Sequence, residues 1–526
     1  MTRDTEVEVP TLSRSSTLAR GAPQSFWGLL CWRADRTPDA LCLVDSDGRE
    51  LSFARYRDEV DRFAGVLSGM GIRPGTVVGW QLPTWIDSIV LLGALSRVGA
   101  TQIPILPLYR EHELGHVVIQ ARPDFLFVPG VWKGFDYPAL ARSMTAIRPQ
   151  LELVVVDHEL PGGSASHVAV ADPRPAEPRW IYYTSGTTGS PKGARHSDST
   201  VIAAGHALVE RYDLAITDRS TIAFPVTHVG GIFMILAGFI SGCGHICFES
   251  FEADVAVPFM RGWGVTFPGN GTSFELAYLA AQRRQPGDSI FPLARAFPHG
   301  GDTKRPHVHA ALRDEIGGVG NLSGYGLTEF PMIACGDIRD SKEHLASRVG
   351  RPCEGIEIRI VDDAGARCPS GTEGEILARG PSLCAGYVDE SANAASFADD
   401  GFFRTGDLGF VDDEGYLEVT GRLKDLIIRK GEKISAAELE EVLHANPKIA
   451  EVTVIGIPDP DSGERCCAVV VLRDPSQAID LAEMGEWILA QGLMRQKIPE
   501  QLEIRESLPR DFYGKVKKNL LRAELA

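Results

Sequence analysis

The chain has 526 residues, 44% of them hydrophobic, which is enough for a large core and more than one domain. A formal net charge of −17 argues against nucleic acid or an anionic membrane surface as partner, so any polyanionic ligand must be met by a local cluster of donors. Ten cysteines are scattered without a C-x-x-C pair or zinc-like spacing, and adjacent Cys466 and Cys467 cannot readily bridge within a strand, so they read as reduced thiols of a cytoplasmic protein.

Residues 1–24 are rich in Thr, Ser, Arg and charge; they are expected to be disordered, and no apolar signal segment follows them. From Phe26 to about residue 260, apolar β runs alternate with helical stretches. Examples are Leu41-Cys42-Leu43-Val44, the helical pattern over 53–70, Val77-Val78-Gly79-Trp80 and Leu153-Val154-Val155-Val156. This alternation predicts an α/β fold of stacked layers with largely parallel sheets. The apolar stretch 89–106 carries Arg97 and is broken by Pro104, so it reads as a buried helix and strand, not a membrane span. Over 355–420 the texture changes to short alternating segments with glycine turns, which predicts a small β-barrel or meander closing the large domain.

After Gly421 a new unit begins. Ser435 and Glu438 form a capping-box signature, with Leu439, Val442 and Leu443 at helical spacing behind it. Strands over 452–457 and 468–472 and a helix over 480–494 complete an α+β unit. The expected division is a leader 1–24, an N-terminal domain 25–423 and a mobile C-terminal domain 424–526.

The strongest chemical signal is Tyr182-Tyr183-Thr184-Ser185-Gly186-Thr187-Thr188-Gly189-Ser190-Pro191-Lys192-Gly193. Hydroxyls and glycines alternate, so backbone N–H and side-chain O–H groups can converge on phosphate oxygens, with Lys192 adding charge. A Gly/Ser/Thr loop of this composition is ordinarily a connector, but this order of residues is far more specific. It is not a Walker A loop, because the G-K-[ST] ending is missing.

The segment resembles the phosphate loop of the adenylate-forming superfamily, in its acyl-CoA synthetase branch. Further motifs of that family follow in order along almost the whole chain. Phe224-Pro225-Val226-Thr227-His228-Val229-Gly230-Gly231 resembles the segment lining the acyl pocket, which the resemblance assigns to His228, Val229, Gly300 and Gly326. Gly300-Gly301-Asp302 resembles the strand beside adenine, with Asp302 in place of the usual small residue and its role open. In Gly324-Tyr325-Gly326-Leu327-Thr328-Glu329, Tyr325 offers a face for adenine, Thr328 an O–H for the α-phosphate, and Glu329 a hard oxygen for Mg²⁺. Asp407 would accept the ribose hydroxyls, Arg422 would lie near the same ribose, and Lys424 would be the hinge. Pro509-Arg510-Asp511-Phe512-Tyr513-Gly514-Lys515 resembles the loop carrying the catalytic lysine. Lys515, directly after Gly514, is chosen over Lys517 and Lys518. For a subsequent thiol step the resemblance points to Lys430-Gly431-Glu432-Lys433.

These motifs imply a ligase that uses ATP and Mg²⁺ to activate a carboxylic acid as acyl-AMP, then transfers the acyl group to CoA. Thr184, Ser185, Gly186, Thr187, Thr188, Gly189, Lys192, Gly301, Tyr325, Thr328, Asp407, Arg422 and Lys515 would hold ATP, and Lys515, Thr328 and Glu329 would act in catalysis. Amino-acid-activating relatives carry Asp after the pocket Phe, where this chain has Pro225. Apolar or small pocket segments at 232–234 and 268–272 suit a medium-chain, alicyclic or aryl acid. The stretch 493–500 resembles medium-chain and cyclohexanecarboxylate CoA ligases, whereas Glu432-Lys433-Ile434 resembles dihydroxybenzoate-activating enzymes. Two alternatives stand beside the CoA ligase: a free-standing enzyme loading a carrier-protein thiol, and an inactive nucleotide-binding regulator.

Overall fold

The computed structural model describes residues 21–162, 174–184, 191–269, 271–301, 305–429, 432–460, 462–510 and 514–526. The expected disorder of the leader concerns residues outside this set. Two compact units are present: one built from residues up to 357 together with 379–403, the other from 358–378 and 404–526.

Among the described residues, the first unit contains three sheets of four or more strands and a two-stranded hairpin of Val131–Trp132 and Phe135–Asp136. A six-stranded sheet runs in the order Gly193–Ser197, Pro178–Tyr183, Thr101–Pro104, Val77–Trp80, Phe125–Pro129, Glu152–Val156. Every pairing in it is parallel except the first, which is an antiparallel hairpin. A second sheet orders Arg219–Ile222, Gly244–Cys247, Leu41–Asp45 and Glu50–Ser52, and its first three strands are parallel. The third begins with parallel Phe297–Gly300 and Asn321–Tyr325. The predicted parallel layers are therefore present. The stretch expected as buried helix and strand is the helix Ile86–Val98 followed by Thr101–Pro104.

Helices Phe26–Arg36, Phe53–Gly69, Ile86–Val98 and Val229–Ser241 contribute Phe26, Phe63, Leu91 and Phe239 to one core with Trp180. Within this core Asp198, at the start of helix Asp198–Tyr212, accepts hydrogen bonds from the Phe26 N–H at 2.9 Å and the Trp180 Nε1–H at 2.8 Å. A buried carboxylate is tolerated where donors satisfy it.

In the second unit, Glu357–Val361, Gly374–Arg379, Phe403–Val411 and Leu417–Arg422 pair in sequence order. This is the meander of the two expected forms; no closed barrel forms among the described residues. The remaining sheet orders Glu432–Ser435, Leu426–Arg429, Gly463–Leu472 and Ile449–Asp459, with Gln501–Ile504 joined parallel to Gly463–Leu472. The Ser435 hydroxyl accepts the Glu438 N–H at 3.3 Å and caps helix Ala436–His444, which is one half of the expected capping box; the Glu438 carboxylate is on Lys497. Strand alternation sends Cys466 into a core with Leu439, Leu443, Met484 and Ile488. Its neighbour Cys467 enters a separate core with Ile455, Leu508 and Leu521. All ten cysteines are free thiols and eight of them are buried. No described helix is long and apolar enough to cross a membrane.

Candidate active site

The first unit frames the phosphate-loop motif with a hairpin. Tyr183 pairs with Gly193 and Tyr182 with Ala194. Beyond the strands, the Thr184 N–H donates to the Lys192 carbonyl at 3.0 Å, and the Lys192 N–H donates to Thr184 Oγ1 at 3.2 Å. Gly193 has a steric reason: a Cβ there would lie 2.9 Å from the Tyr183 ring. Ser185, Gly186, Thr187, Thr188 and Gly189, proposed to hold phosphate, lie outside the described residues, as does Asp302. Lys192 is exposed, and its ammonium stands 5.2 Å above the centre of the Tyr387 ring.

The second motif follows strand Asn321–Tyr325 as a tight turn, closed by reciprocal backbone hydrogen bonds between Leu327 and Phe330. Gly326 is needed there, because a Cβ would sit 2.2 Å from the Pro331 carbonyl oxygen. The Thr328 carbonyl accepts a hydrogen bond from His196 Nε2 at 2.8 Å, so that nitrogen carries the proton and Nδ1, 3.1 Å from Thr200 Oγ1, is the acceptor. Burial, slightly offset by the Thr328 carbonyl, lowers the His196 pKa to about 4. Glu329 is buried, and its Oε1 accepts the Tyr387 hydroxyl at 2.6 Å, while its carbonyl accepts the Cys384 N–H at 2.8 Å. Oε2 has no hydrogen-bond partner among the described residues.

No group of three His, Cys, Asp or Glu side chains able to hold a metal occurs among the described residues. A hard cation sharing one carboxylate with substrate phosphates and water needs no such group, and that is the usual habit of Mg²⁺. Glu329, with one oxygen anchored and one available, fits this role.

A cleft beside the turn is lined by His228, Val229 and Thr328 together with Tyr109, Tyr182, Tyr183, Thr227 and Leu106. His228 Nδ1 accepts the Gly230 N–H at 3.1 Å and caps helix Val229–Ser241, and burial lowers its pKa to about 4. Among the described residues, the buried hydroxyls of Tyr109, Tyr182, Tyr183 and Thr227 have no hydrogen-bond partner. Gly300 and Gly326 do not line this cleft. Gly300 ends strand Phe297–Gly300 opposite Gly324, and Gly301 follows it at φ +78°, where glycine is favoured.

In the second unit Asp407 and Arg422 face each other across antiparallel strands, with Arg422 Nε 2.9 Å from Asp407 Oδ1. Asp407 is buried and Arg422 partly exposed. Lys424 lies two residues on, in the turn Leu423–Asp425. Its chain is exposed, but loss of water around the ammonium group, then repulsion from Arg422, with a smaller push from Lys515, lowers its pKa to about 8. Lys515 follows Gly514, which sits at φ +79° and whose carbonyl accepts from Arg510. This unit therefore gathers Asp407, Arg422, Lys424 and Lys515 into one charged neighbourhood. Lys430 and Gly431 lie outside the described residues. Glu432 and Lys433 pair through their backbones with Arg429 and Ile428.

Two residues at these sites escaped the motif reading. His196 and Tyr387 meet the Thr328-Glu329 turn from 132 and 58 residues away, and no periodicity or spacing signals such contacts.

A family model described as AMP-binding enzyme matches residues 30–388, and one for the AMP-binding enzyme C-terminal domain matches 438–515. A medium-chain fatty-acid–CoA ligase of Escherichia coli (strain K12) is 30% identical over 99% of this chain and 95% of its own. A salicyl-AMP ligase / salicyl-S-ArCP synthetase of Mycobacterium tuberculosis is 34% identical over 94% and 89%. The structure of o-succinylbenzoate coenzyme A synthetase (MenE) from Bacillus subtilis, in complex with ATP and a magnesium ion, has a TM-score of 0.81 and 26% identity, covering 94% of this chain and 98% of that one. This chain therefore belongs to the AMP-binding enzyme family, the adenylate-forming acid–thiol ligases.

Proposed function

We propose that the protein activates a compact carboxylic acid with ATP as acyl-AMP, releasing pyrophosphate, and transfers the acyl group to CoA. The observation that carries this reading is the junction of the two phosphate motifs. His196, on the hairpin strand, holds the Thr328 carbonyl, and Tyr387 lies between Lys192 and Glu329. Carboxylate and ATP are both anions, so their repulsion must be offset before displacement at the α-phosphate. Mg²⁺ held on Glu329 supplies part of that offset. Lys192 and the loop 184–189 bind the phosphates, and Thr328 offers its hydroxyl to the α-phosphate. Asp407 and Arg422 hold the ribose, and Lys515 places its charge where it develops in the transition state. Gly301 and Tyr325 frame the adenine, and His228 and Val229 wall the acid.

For the thiol step, the segment 424–526 turns about Lys424 and replaces the Lys515 face with the 430–433 face. The division into domains 25–423 and 424–526 is part of this proposal. The cleft lined by Leu106, Tyr109, His228 and Val229 suits a medium-chain, alicyclic or aryl acid. Ten free thiols suit a reducing cytoplasm.

Carrier-protein loading is the second reading, favoured by the 34% identity to a relative named for a carrier-bound product. One assay separates the readings: pyrophosphate release with a panel of acids, with and without CoA, analysed for thioester. Acyl-CoA formation supports the first, release without CoA turnover supports the second, and no release with any acid overturns both.

A further inference from the structure

Tyr387 is buried, and its surroundings fix it on three sides. Its N–H donates to Asn393 Oδ1 at 2.9 Å. The segment around it runs beside the strand Gly193–Ser197: the Arg195 N–H donates to the Gly386 carbonyl at 2.9 Å, and the Val388 N–H to the Gly193 carbonyl at 2.8 Å. Its hydroxyl donates to Glu329 Oε1 at 2.6 Å, within the short range of charge-assisted O–H···O⁻ bonds. Its ring lies 5.2 Å below the Lys192 ammonium. One side chain thus joins the strand after the phosphate loop, the loop's lysine and the carboxylate assigned to the cation.

Resting on the functional reading above, we propose that Tyr387 is a positioning residue for Mg·ATP. It occupies Glu329 Oε1, so that Oε2 would be the oxygen left to hold the cation, and it carries the Lys192 ammonium over its ring. Hydrogen-bond partners behind a metal-ligating carboxylate set its orientation, and their loss typically costs about 10- to 100-fold in metal affinity. A cation over an exposed aromatic face is worth about 2- to 5-fold in binding.

The test is Mn²⁺ binding to the full chain saturated with a non-hydrolysable ATP analogue, followed by electron paramagnetic resonance. Tyr387→Phe, which keeps the ring, should weaken Mn²⁺ by about 10- to 100-fold and leave metal-free nucleotide binding unchanged. Tyr387→Leu should in addition weaken metal-free nucleotide binding by about 2- to 5-fold. In a Glu329→Gln background, Tyr387→Phe should cause no further loss, because the hydroxyl acts only through that carboxylate. Fluorotyrosine placed at position 387 keeps both ring and hydroxyl. Its fluorine resonance should shift when Mg²⁺ joins the nucleotide complex, and should not shift in Glu329→Gln. Unchanged Mn²⁺ affinity in Tyr387→Phe, an equal loss in the Glu329→Gln background, or a silent fluorine resonance would each overturn the proposal. If the wild-type chain still releases pyrophosphate, the functional reading survives that failure. A wild-type chain without metal-dependent nucleotide binding overturns both.

Discussion

His196 gives a stability prediction that the structure quantifies. It is fully buried, and its Nε2–H is committed to the Thr328 carbonyl at 2.8 Å. Burial brings its pKa to about 4 in the folded chain, from an ordinary value of 6.5. A folded pKa below the unfolded one means that the stability contribution is complete above pH 6.5 and lost progressively as pH falls toward 4. Between pH 7 and pH 5 the loss from this one group is about 2 kcal/mol, at 1.36 kcal/mol per unit. His196→Gln retains an N–H donor for Thr328 but does not titrate. Its unfolding free energy should therefore fall between pH 7 and pH 5 by about 2 kcal/mol less than that of the wild type. His228 and His245, also with pKa about 4, titrate in both proteins and cancel in the comparison. Urea titrations at the two pH values, followed by tryptophan fluorescence, report this unit, because seven of the eight tryptophans lie in it. Equal acid sensitivity in the two proteins, at equal m-values, would refute the reasoning.

Glu329→Gln should abolish acid-dependent pyrophosphate release while its melting temperature stays near wild type; undiminished Mg²⁺-dependent release would remove the assignment. Lys515→Ala should slow acyl-adenylate formation by about 10²- to 10³-fold, yet still make thioester from supplied acyl-adenylate and CoA. If Lys517→Ala shows that pattern and Lys515→Ala does not, the lysine is misassigned. Lys424→Pro should keep pyrophosphate release and lose thioester formation, because proline fixes φ in the linker. Equal loss of both half-reactions in single-turnover assays would displace the pivot from Lys424. Gly326→Ala forces a Cβ to 2.2 Å from the Pro331 carbonyl, so the turn must open. We expect about 1–3 kcal/mol of destabilisation with a large loss of adenylation, and a variant with wild-type melting and turnover would contradict it.

The elements legible in the sequence were those whose signal is local. Alternating β runs gave Leu41–Asp45 and Val77–Trp80, and a hydroxyl three residues before a glutamate gave the cap at Ser435. The site motifs stand out because each is a contiguous string with a definite order of functional groups. What could not be read were contacts set by tertiary packing. The Asp198 carboxylate, which receives Phe26 from 172 residues away, looks in sequence like an ordinary helix-start acid. Tyr387 looks like a core aromatic until its hydroxyl is found on Glu329. The texture over 355–420 could not distinguish barrel from meander, because closure depends on strand tilt and stagger, which alternation does not encode.

The thiols bear on selectivity toward nucleophiles. An acyl-adenylate acylates any competent thiolate within reach, and the thiolate, not the thiol, is the reactive form. Every cysteine of this chain has its pKa raised, in each case chiefly by burial. Cys384, whose N–H is bonded to the Glu329 carbonyl, is pushed up to about 12. At neutral pH it stands overwhelmingly as the thiol. An acyl-adenylate formed as proposed would meet protein sulfur held as thiol. On the proposed reading, the acceptor thiol is then one that enters from outside.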